Sequence, residues 1–216
     1  MSNIYYMSLL NKKYLFIHIN KSCGGVIIQN FLQNGENLLG GYHRTLPDML
    51  NKIKNELKIN KEQLFIFTIV RNPWERMLSL YLYYYKYNYH NEFFSGYKEI
   101  DNDFNHWVEY IYSDKFDRSR IHSAVNIFIY CFCNQLNWLK ENNQIISNIN
   151  IYKIEDLNLE DFFTTTLNLS NINCRRVHPT KHKHYSYYYN EKSIQLVKEH
   201  YKEDIEYFGY KYERLN

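Results

Sequence analysis

Three apolar runs in the chain predict buried strands. Residues 14–19 and 64–70 are almost uninterrupted apolar sequence, and a third run, which Asn150 and Lys153 interrupt, covers residues 149–154. Runs of this length that end at turn-forming residues are typical of strands buried on both faces. The first run ends at a polar, glycine-containing loop and the second at an arginine followed by Asn72 and Pro73. Each of these two strands therefore leads through a short loop into the next element.

Apolar residues recur at helical spacing between and after these runs. Pro73 fits the first turn of a helix after the second strand, and Thr45 and Asn190 precede two further helices as candidate N-caps. Gly209 lies near the end of the last helix, where a left-handed residue often terminates a helix. One predicted helix begins at residue 26, after the first loop, and another at residue 73, after the second loop. Further helices are predicted over residues 47–57, 101–113, 121–140 and about 191–209.

Short strands joined by long helical connections indicate an α/β fold with a mainly parallel central sheet flanked by helices. The length of 216 residues suits one compact domain. No internal repeat and no linker-like segment interrupts the sequence. We therefore expect a single domain over residues 1–216.

Composition and charge narrow the possible functions. Hydrophobic residues make up 45% of the chain, and 26 basic residues against 23 acidic ones give a net charge of +3. This small excess argues against a nucleic-acid-binding protein. No apolar run approaches the roughly 20 residues needed to span a bilayer, and residues 1–10 lack a signal-peptide pattern. We expect a cytoplasmic protein, without a transmembrane segment, whose four cysteines are free thiols.

The loop after the first strand has the chemistry of an anion site. A strand that turns through Gly24 and Gly25 into a helix presents backbone N–H groups and the positive end of the helix dipole. Lys21 adds a full charge and Ser22 a hydroxyl donor, although the lysine precedes the glycines and the classical P-loop spacing is absent. The alternative is a plain tight turn beside a solvated lysine.

The loop after the second strand predicts another anion site. Arg71 lies at the carboxyl end of a predicted parallel strand, where open α/β sheets bind their ligands. Its planar guanidinium suits a phosphate monoester, and Ser79, about two helical turns later, can add a hydroxyl bond. The alternative is an arginine paired with a carboxylate and a serine that only packs. Two anion sites on neighbouring strands suit a nucleotide phosphorylated at both ends.

Two motifs carry a resemblance to a known family. Residues 18–25 read HINKSCGG and resemble the 5′-phosphosulfate loop, H-I-P-K-T-x-G-T-S, of the carbohydrate sulfotransferases. Residues 70–81 read VRNPWERMLSLY and are similar to that family's 3′-phosphate motif, V-R-N-P-W-x-R-L-x-S-x-Y. The stretch 185–210 is also similar to the family's C-terminal end. Asn20 stands where the family has proline, and Gly25-Val26 replaces its Thr-Ser pair.

The resemblance implies a P-loop-like sulfotransferase fold. It also implies an enzyme that transfers a sulfuryl group from 3′-phosphoadenosine-5′-phosphosulfate (PAPS) to a hydroxyl of a carbohydrate or glycoconjugate. With the Thr-Ser pair replaced, the 5′ end of the donor is left to backbone amides, Lys21 and Ser22. Lys181 and Lys183 fold over the 3′-phosphate, contact an acidic acceptor, or belong to a basic loop with no partner. The implied donor-binding residues are Lys21, Ser22, Cys23, Gly24, Gly25, Val26, Arg71, Ser79, Lys181 and Lys183.

The resemblance also implies catalytic roles for Lys21 and His43. Lys21 would neutralise the bridging oxygen as the sulfur–oxygen bond breaks, and His43 would take the proton of the acceptor hydroxyl. A capping or surface role is the alternative for His43. His18 is expected to be a core histidine inside the first strand, and His122 is the third candidate base. No metal is expected, and a zinc site is the less favoured interpretation of Cys174, His178, His182 and His184.

Two other functions remain open. A nucleotide-dependent phosphotransferase would use the same two loops but needs acidic magnesium ligands, for which Glu155 and Asp156 are the only candidates. A non-catalytic nucleotide- or glycan-binding relative would retain the fold without the chemistry, and Gly25-Val26 is the best support for it. The sequence does not define the acceptor or the oligomeric state.

Overall fold

The computed structural model describes residues 7–35, 37–40, 43–86, 103–116, 132–175 and 182–215. The chain divides into two compact units. The first unit consists of Met1–Arg71 and Gln135–Pro179, and the second of Asn72–Asn134 and Thr180–Asn216.

The described part of the first unit contains a five-stranded sheet. In chain order the strands are β1 (Met7–Leu10), β2 (Tyr14–Ile17), β3 (Asn37–Gly40), β4 (Phe65–Val70) and β7 (Asn150–Lys153), in the spatial order β3-β1-β2-β4-β7. Strand β4 pairs in parallel with β2 and β7, whereas β1 is antiparallel to both β2 and β3. Four of the five strands therefore point the same way, and the prediction of a mainly parallel sheet is confirmed. A small hairpin is formed by β5 (Lys140–Glu141) and β6 (Gln144–Ile145).

Helix α1 (Gly24–Gln33) follows β2 and packs its apolar side chains on the sheet. Two side-chain amides on its other end hold the helix against a distant segment. Asn30 exchanges hydrogen bonds with the backbone of Asn173, at 2.9 and 2.7 Å. Asn34 bonds the backbone of Asn171 in the same way. These paired amides fix the position of α1, and with it the loop that precedes the helix.

The other helices of the first unit are short. Helix α2 (Leu46–Lys52) begins after Thr45, whose side chain caps the N–H of Asp48 as predicted, and it continues as a π-helical turn, Ile53–Leu57. A 3₁₀ turn, Lys61–Gln63, leads into β4. After β7, α5 (Leu159–Asp161) continues as a second π-helical turn, Phe162–Thr166, which packs against α1 and the sheet.

The second unit is helical in its described part. Its helices are α3 (Pro73–Lys86), α4 (Phe104–Ile111), α6 (Glu191–His200) and α7 (Lys202–Phe208), with a 3₁₀ turn at Tyr185–Tyr187. They enclose a core rich in aromatic side chains, which includes Trp74, Tyr81, Trp107 and Tyr201. Asn190 caps α6 through a reciprocal bond with Ser193, and Gly209 ends α7 with φ 68°, so both predicted helix ends are confirmed.

Several predicted boundaries were wrong. The long helix predicted over 121–140 is absent from residues 132–140, which form a turn, a 3₁₀ helix at Gln135–Trp138 and the start of β5; residues 121–131 lie outside the described part. The last helix breaks at Tyr201, and the helix predicted over 101–113 is shorter. Strands β1 and β3 were not predicted. Among the described residues, no helix combines the length and the apolar character required to cross a membrane.

Candidate anion-binding and catalytic site

The two predicted anion loops emerge from the same edge of the sheet. In the parallel pair of β2 and β4, Ile17 is aligned with Thr68, so both strands end within a few residues of each other. The Thr68 hydroxyl donates to the Ile17 carbonyl at 2.7 Å, which binds the two strand ends together. The carboxyl ends of parallel strands are the usual ligand-binding edge of such a sheet. Lys21 and Arg71 follow these two ends.

The Lys21 loop has an unusual backbone. Lys21 and Cys23 adopt left-handed conformations, with φ 61° and 67°, although neither is glycine. Cys23 then precedes the first turn of α1, and the Val26 N–H donates to the Cys23 carbonyl at 3.2 Å. The first N–H groups of a helix point away from its body and, with the helix dipole, favour an anion there. The loop therefore combines a lysine with a helix N-terminus, as predicted for Lys21, Gly24 and Gly25.

Arg71 contacts the Lys21 loop directly. Its Nη1 donates to the backbone carbonyl of Lys21 at 3.1 Å, and its side chain is half-buried. The two cationic residues predicted from separate motifs therefore lie side by side in the first unit.

A residue that sequence reasoning missed connects these loops. Gln135 is fully buried at the start of the 3₁₀ helix Gln135–Trp138. Its Oε1 accepts from the Ser22 hydroxyl at 3.2 Å and from the Arg71 N–H at 2.9 Å. Its Nε2 donates to the Arg71 carbonyl at 2.9 Å. Ser22 is itself fully buried, so its hydroxyl serves the loop's architecture here. A glutamine within a predicted helix gave no signal of this role.

His43 lies beside the same loop and has a defined tautomer. Its Nδ1 is 2.8 Å from the backbone carbonyl of His18. A carbonyl oxygen only accepts, so Nδ1 carries the hydrogen, and in the neutral ring Nε2 is the basic nitrogen. The ring is backed edge-on by the buried Trp138, at 6.0 Å between ring centroids. The hydrogen bond to His18 and the contact with Trp138 fix the orientation of the ring and leave Nε2 as the nitrogen that can accept a proton.

His18 belongs to this site rather than to the interior of a strand. Strand β2 ends at Ile17, and the His18 ring lies 4.0 Å from that of His43, centroid to centroid. Burial, helped by the nearby His43 and Lys21, holds the pKa of His18 well below its ordinary 6.5. The ring also occupies the space above Gly24, where an added Cβ would meet its Nε2 at 1.8 Å. Gly24 is therefore required by the His18 ring. The burial of His18 agrees with the prediction of a core histidine, whereas its placement inside the strand was wrong.

Two further predicted donor-binding residues, Ser79 and Lys183, lie in the second unit. Ser79 is buried in α3. Lys183 is exposed, with its Nζ 5.7 Å from the centroid of the Tyr187 ring, and its backbone N–H donates to the Tyr188 hydroxyl. Lys181, His122 and His178 lie outside the described residues. The described part of the chain contains no group of three or more His, Cys, Asp or Glu side chains arranged to hold a metal ion.

Basic residues at the carboxyl edge of a parallel sheet, beside a helix N-terminus, are the arrangement in which open α/β folds bind anionic ligands. A family model described as the sulfotransferase family matches residues 4–211, almost the whole chain. The chain belongs to the sulfotransferase family. Comparisons with curated proteins and with solved structures gave no significant match.

The packing of Gly24 against His18 predicts a strong coupling between the two positions. We expect Gly24→Ala to lower the free energy of unfolding by about 1–3 kcal/mol, because the new methyl group overlaps the imidazole. In a His18→Ala background the same change should be neutral or stabilising, since alanine is the better helix former. Urea unfolding of the four proteins measures both values. An equal cost in both backgrounds would contradict the packing described here.

The low pKa of His18 predicts a pH-dependent stability. In the unfolded chain the imidazole binds a proton below its ordinary pKa of 6.5, whereas the folded protein keeps it neutral to a lower pH. The unfolded state therefore binds more protons in this window, and the free energy of unfolding should fall as the pH drops below about 6.5.

Urea unfolding of the wild type and of His18→Gln between about pH 5 and 7.5 tests this linkage. We expect the decline to be shallower in the variant, which has no proton to bind. Identical slopes for the two proteins would show that His18 does not titrate differently on folding.

Proposed function

We propose that this sulfotransferase-family protein uses PAPS as its donor and transfers the sulfuryl group to a hydroxyl of a carbohydrate or glycoconjugate. The observation that carries the proposal is the contact between its two cationic loops. Arg71 donates to the Lys21 backbone, and one buried amide, that of Gln135, bonds both loops. Two adjacent sites of positive charge suit a nucleotide that carries anionic groups at both its 5′ and 3′ positions.

The 5′-phosphosulfate is assigned to the Lys21 loop. The N–H groups at the start of α1, from Cys23 to Gly25, and the Lys21 ammonium bind the anion there, whereas the Val26 N–H already donates to the Cys23 carbonyl. Arg71 takes the 3′-phosphate, assisted by Ser79 and by Lys181 and Lys183. These residues fix the position of the donor, and positioning supplies a large share of the rate of a group transfer between two bound molecules.

The chemistry requires one proton acceptor and one site of positive charge. His43 accepts the proton of the acceptor hydroxyl at Nε2, as the oxygen forms its bond to sulfur and the bond from sulfur to the bridging phosphate oxygen breaks. Lys21 stabilises the charge that develops on that bridging oxygen. His18, which stays neutral beside it, adds no positive charge that would make His43 a weaker base. No metal ion is required in this scheme.

Two further aspects belong to the proposal. We propose that both compact units form one catalytic domain, since the family match spans both of them, and that the protein acts in the cytoplasm. The carbohydrate class of the acceptor is supported by the likeness of residues 70–81 to the 3′-phosphate motif of carbohydrate sulfotransferases. The alternative of a binding protein without transfer is supported by Gly25-Val26, where that family has hydroxyl side chains.

The donor assignment predicts the effect of removing Lys21. We expect Lys21→Ala to weaken binding of the product nucleotide 3′-phosphoadenosine-5′-phosphate by roughly 10- to 100-fold, since a charge-assisted hydrogen bond contributes about 1.5–3 kcal/mol. Lys54→Ala, at an exposed lysine of the π-helical turn after α2, is the matched control and should bind like the wild type. Titration calorimetry gives both affinities. A wild-type protein with no affinity for the nucleotide would disprove the proposed function.

The base assignment predicts a loss of rate without a loss of binding. We expect His43→Gln to lower kcat for transfer from labelled PAPS to a mixture of glycans by roughly 10²- to 10⁴-fold, the contribution typical of a general base. Its affinity for the product nucleotide should change little. His106→Gln, at an exposed histidine of α4, is the control. Donor binding by the wild type with no labelled product from any hydroxyl acceptor would favour the binding-protein alternative.

A further inference from the structure

Gln135 is the buried polar side chain that lies between the two cationic loops. It is fully buried, yet it comes from a part of the chain far from both loops, 113 residues after Ser22 and 64 after Arg71. A buried amide is tolerated only where its polar atoms find partners. Here three of its hydrogen bonds go to residues of the two loops.

The contacts at this position require a side chain that both donates and accepts hydrogen bonds, as an amide does. Gln135 bonds both the N–H and the carbonyl of Arg71, as a neighbouring strand would, and so fixes the backbone at the tip of β4. Its oxygen also accepts from the Ser22 hydroxyl, which fixes the Lys21 loop. A side chain that only donates or only accepts could not make all three bonds.

The bridge supplements a direct contact between the loops. The Arg71 guanidinium donates to the Lys21 backbone carbonyl at 3.1 Å. The neutral Gln135 amide joins the same two loops without adding charge, so their spacing is set before a ligand arrives.

We propose that Gln135 is a positioning residue that couples the two anion loops, so that the protein recognises the 5′ and 3′ groups of one nucleotide at a fixed separation. This inference rests on the proposed function. It assigns Gln135 no contact with the nucleotide; the residue acts through Ser22 and Arg71. If the distance between the two loops is fixed before the nucleotide binds, less conformational entropy of the loops is lost on binding, and the affinity is higher.

The test compares Gln135→Met, which keeps the size of the side chain and removes its polar atoms, with the wild type. The probes are 3′-phosphoadenosine-5′-phosphate, adenosine 5′-monophosphate and adenosine 3′-monophosphate, with affinities from calorimetry. We expect the bisphosphate to bind about tenfold or more weakly to the variant, and each monophosphate to change less than about threefold. Gln144→Met, at an exposed glutamine of β6, is the control and should match the wild type.

A double-mutant cycle provides a readout that a general loss of stability would not give. In the wild type, the effects of Lys21→Ala and Arg71→Ala on bisphosphate affinity should be non-additive, and in the Gln135→Met background they should become additive. Should Gln135→Met fail to fold, Gln135→Asn replaces it, because the side chain keeps a neutral amide but is one methylene shorter and should not bond both loops at once. We expect the non-additivity to be at least halved in that variant.

The outcomes separate the two proposals. A wild-type protein that does not bind the bisphosphate disproves the proposed function and this inference together. Bisphosphate binding that is unchanged in a folded Gln135 variant, or equal weakening of the bisphosphate and both monophosphates, overturns the coupling alone. The coupling is supported if the Gln135 variant binds only the bisphosphate more weakly and if the effects of Lys21→Ala and Arg71→Ala become additive in that variant.

Discussion

The site depends on bringing two basic residues, Lys21 and Arg71, to one edge of a mainly parallel sheet. The parallel pairing of β2 and β4 brings the strand ends into register and places the Lys21 backbone beside Arg71. Uncharged groups join the two segments: the Thr68 hydroxyl between the strand ends, and the Gln135 amide between the loops. An antiparallel pairing of β2 and β4 would place their carboxyl ends at opposite edges of the sheet, so the anion site follows from the strand topology.

Much of the sheet could be predicted because three of its strands lie in apolar runs. The runs at 14–19, 64–70 and 149–154 contain β2, β4 and β7, and only the ends were misplaced by one or two residues. Strands β2 and β4 are almost entirely buried, whereas β7 is a half-buried edge strand. Strands β1 and β3 escaped prediction because neither lies in a long apolar run; each is held by pairing in the sheet. Helix ends with a local chemical signature, such as Asn190, were predicted correctly.

The candidate site was predictable only where its chemistry is local in sequence. Lys21 and Arg71 follow strands and form recognisable motifs, and the structure brings them into contact. Gln135 carries no motif, and its importance arises from partners 113 and 64 residues away. His18 was placed inside a strand because it lies within an apolar run, whereas β2 stops one residue before it. The helix predicted over 121–140 was wrong in its described part, residues 132–140, for a related reason: apolar spacing does not distinguish a long helix from several short turns.

The left-handed backbone at Lys21 has a consequence for how this loop can evolve. At φ 61° the backbone would favour glycine, and an L-residue with a Cβ costs about 1–2 kcal/mol there. Glycine at position 21 would relieve this strain but would remove the positive charge. The stability of the loop and its charge therefore make opposite demands on the residue at this position.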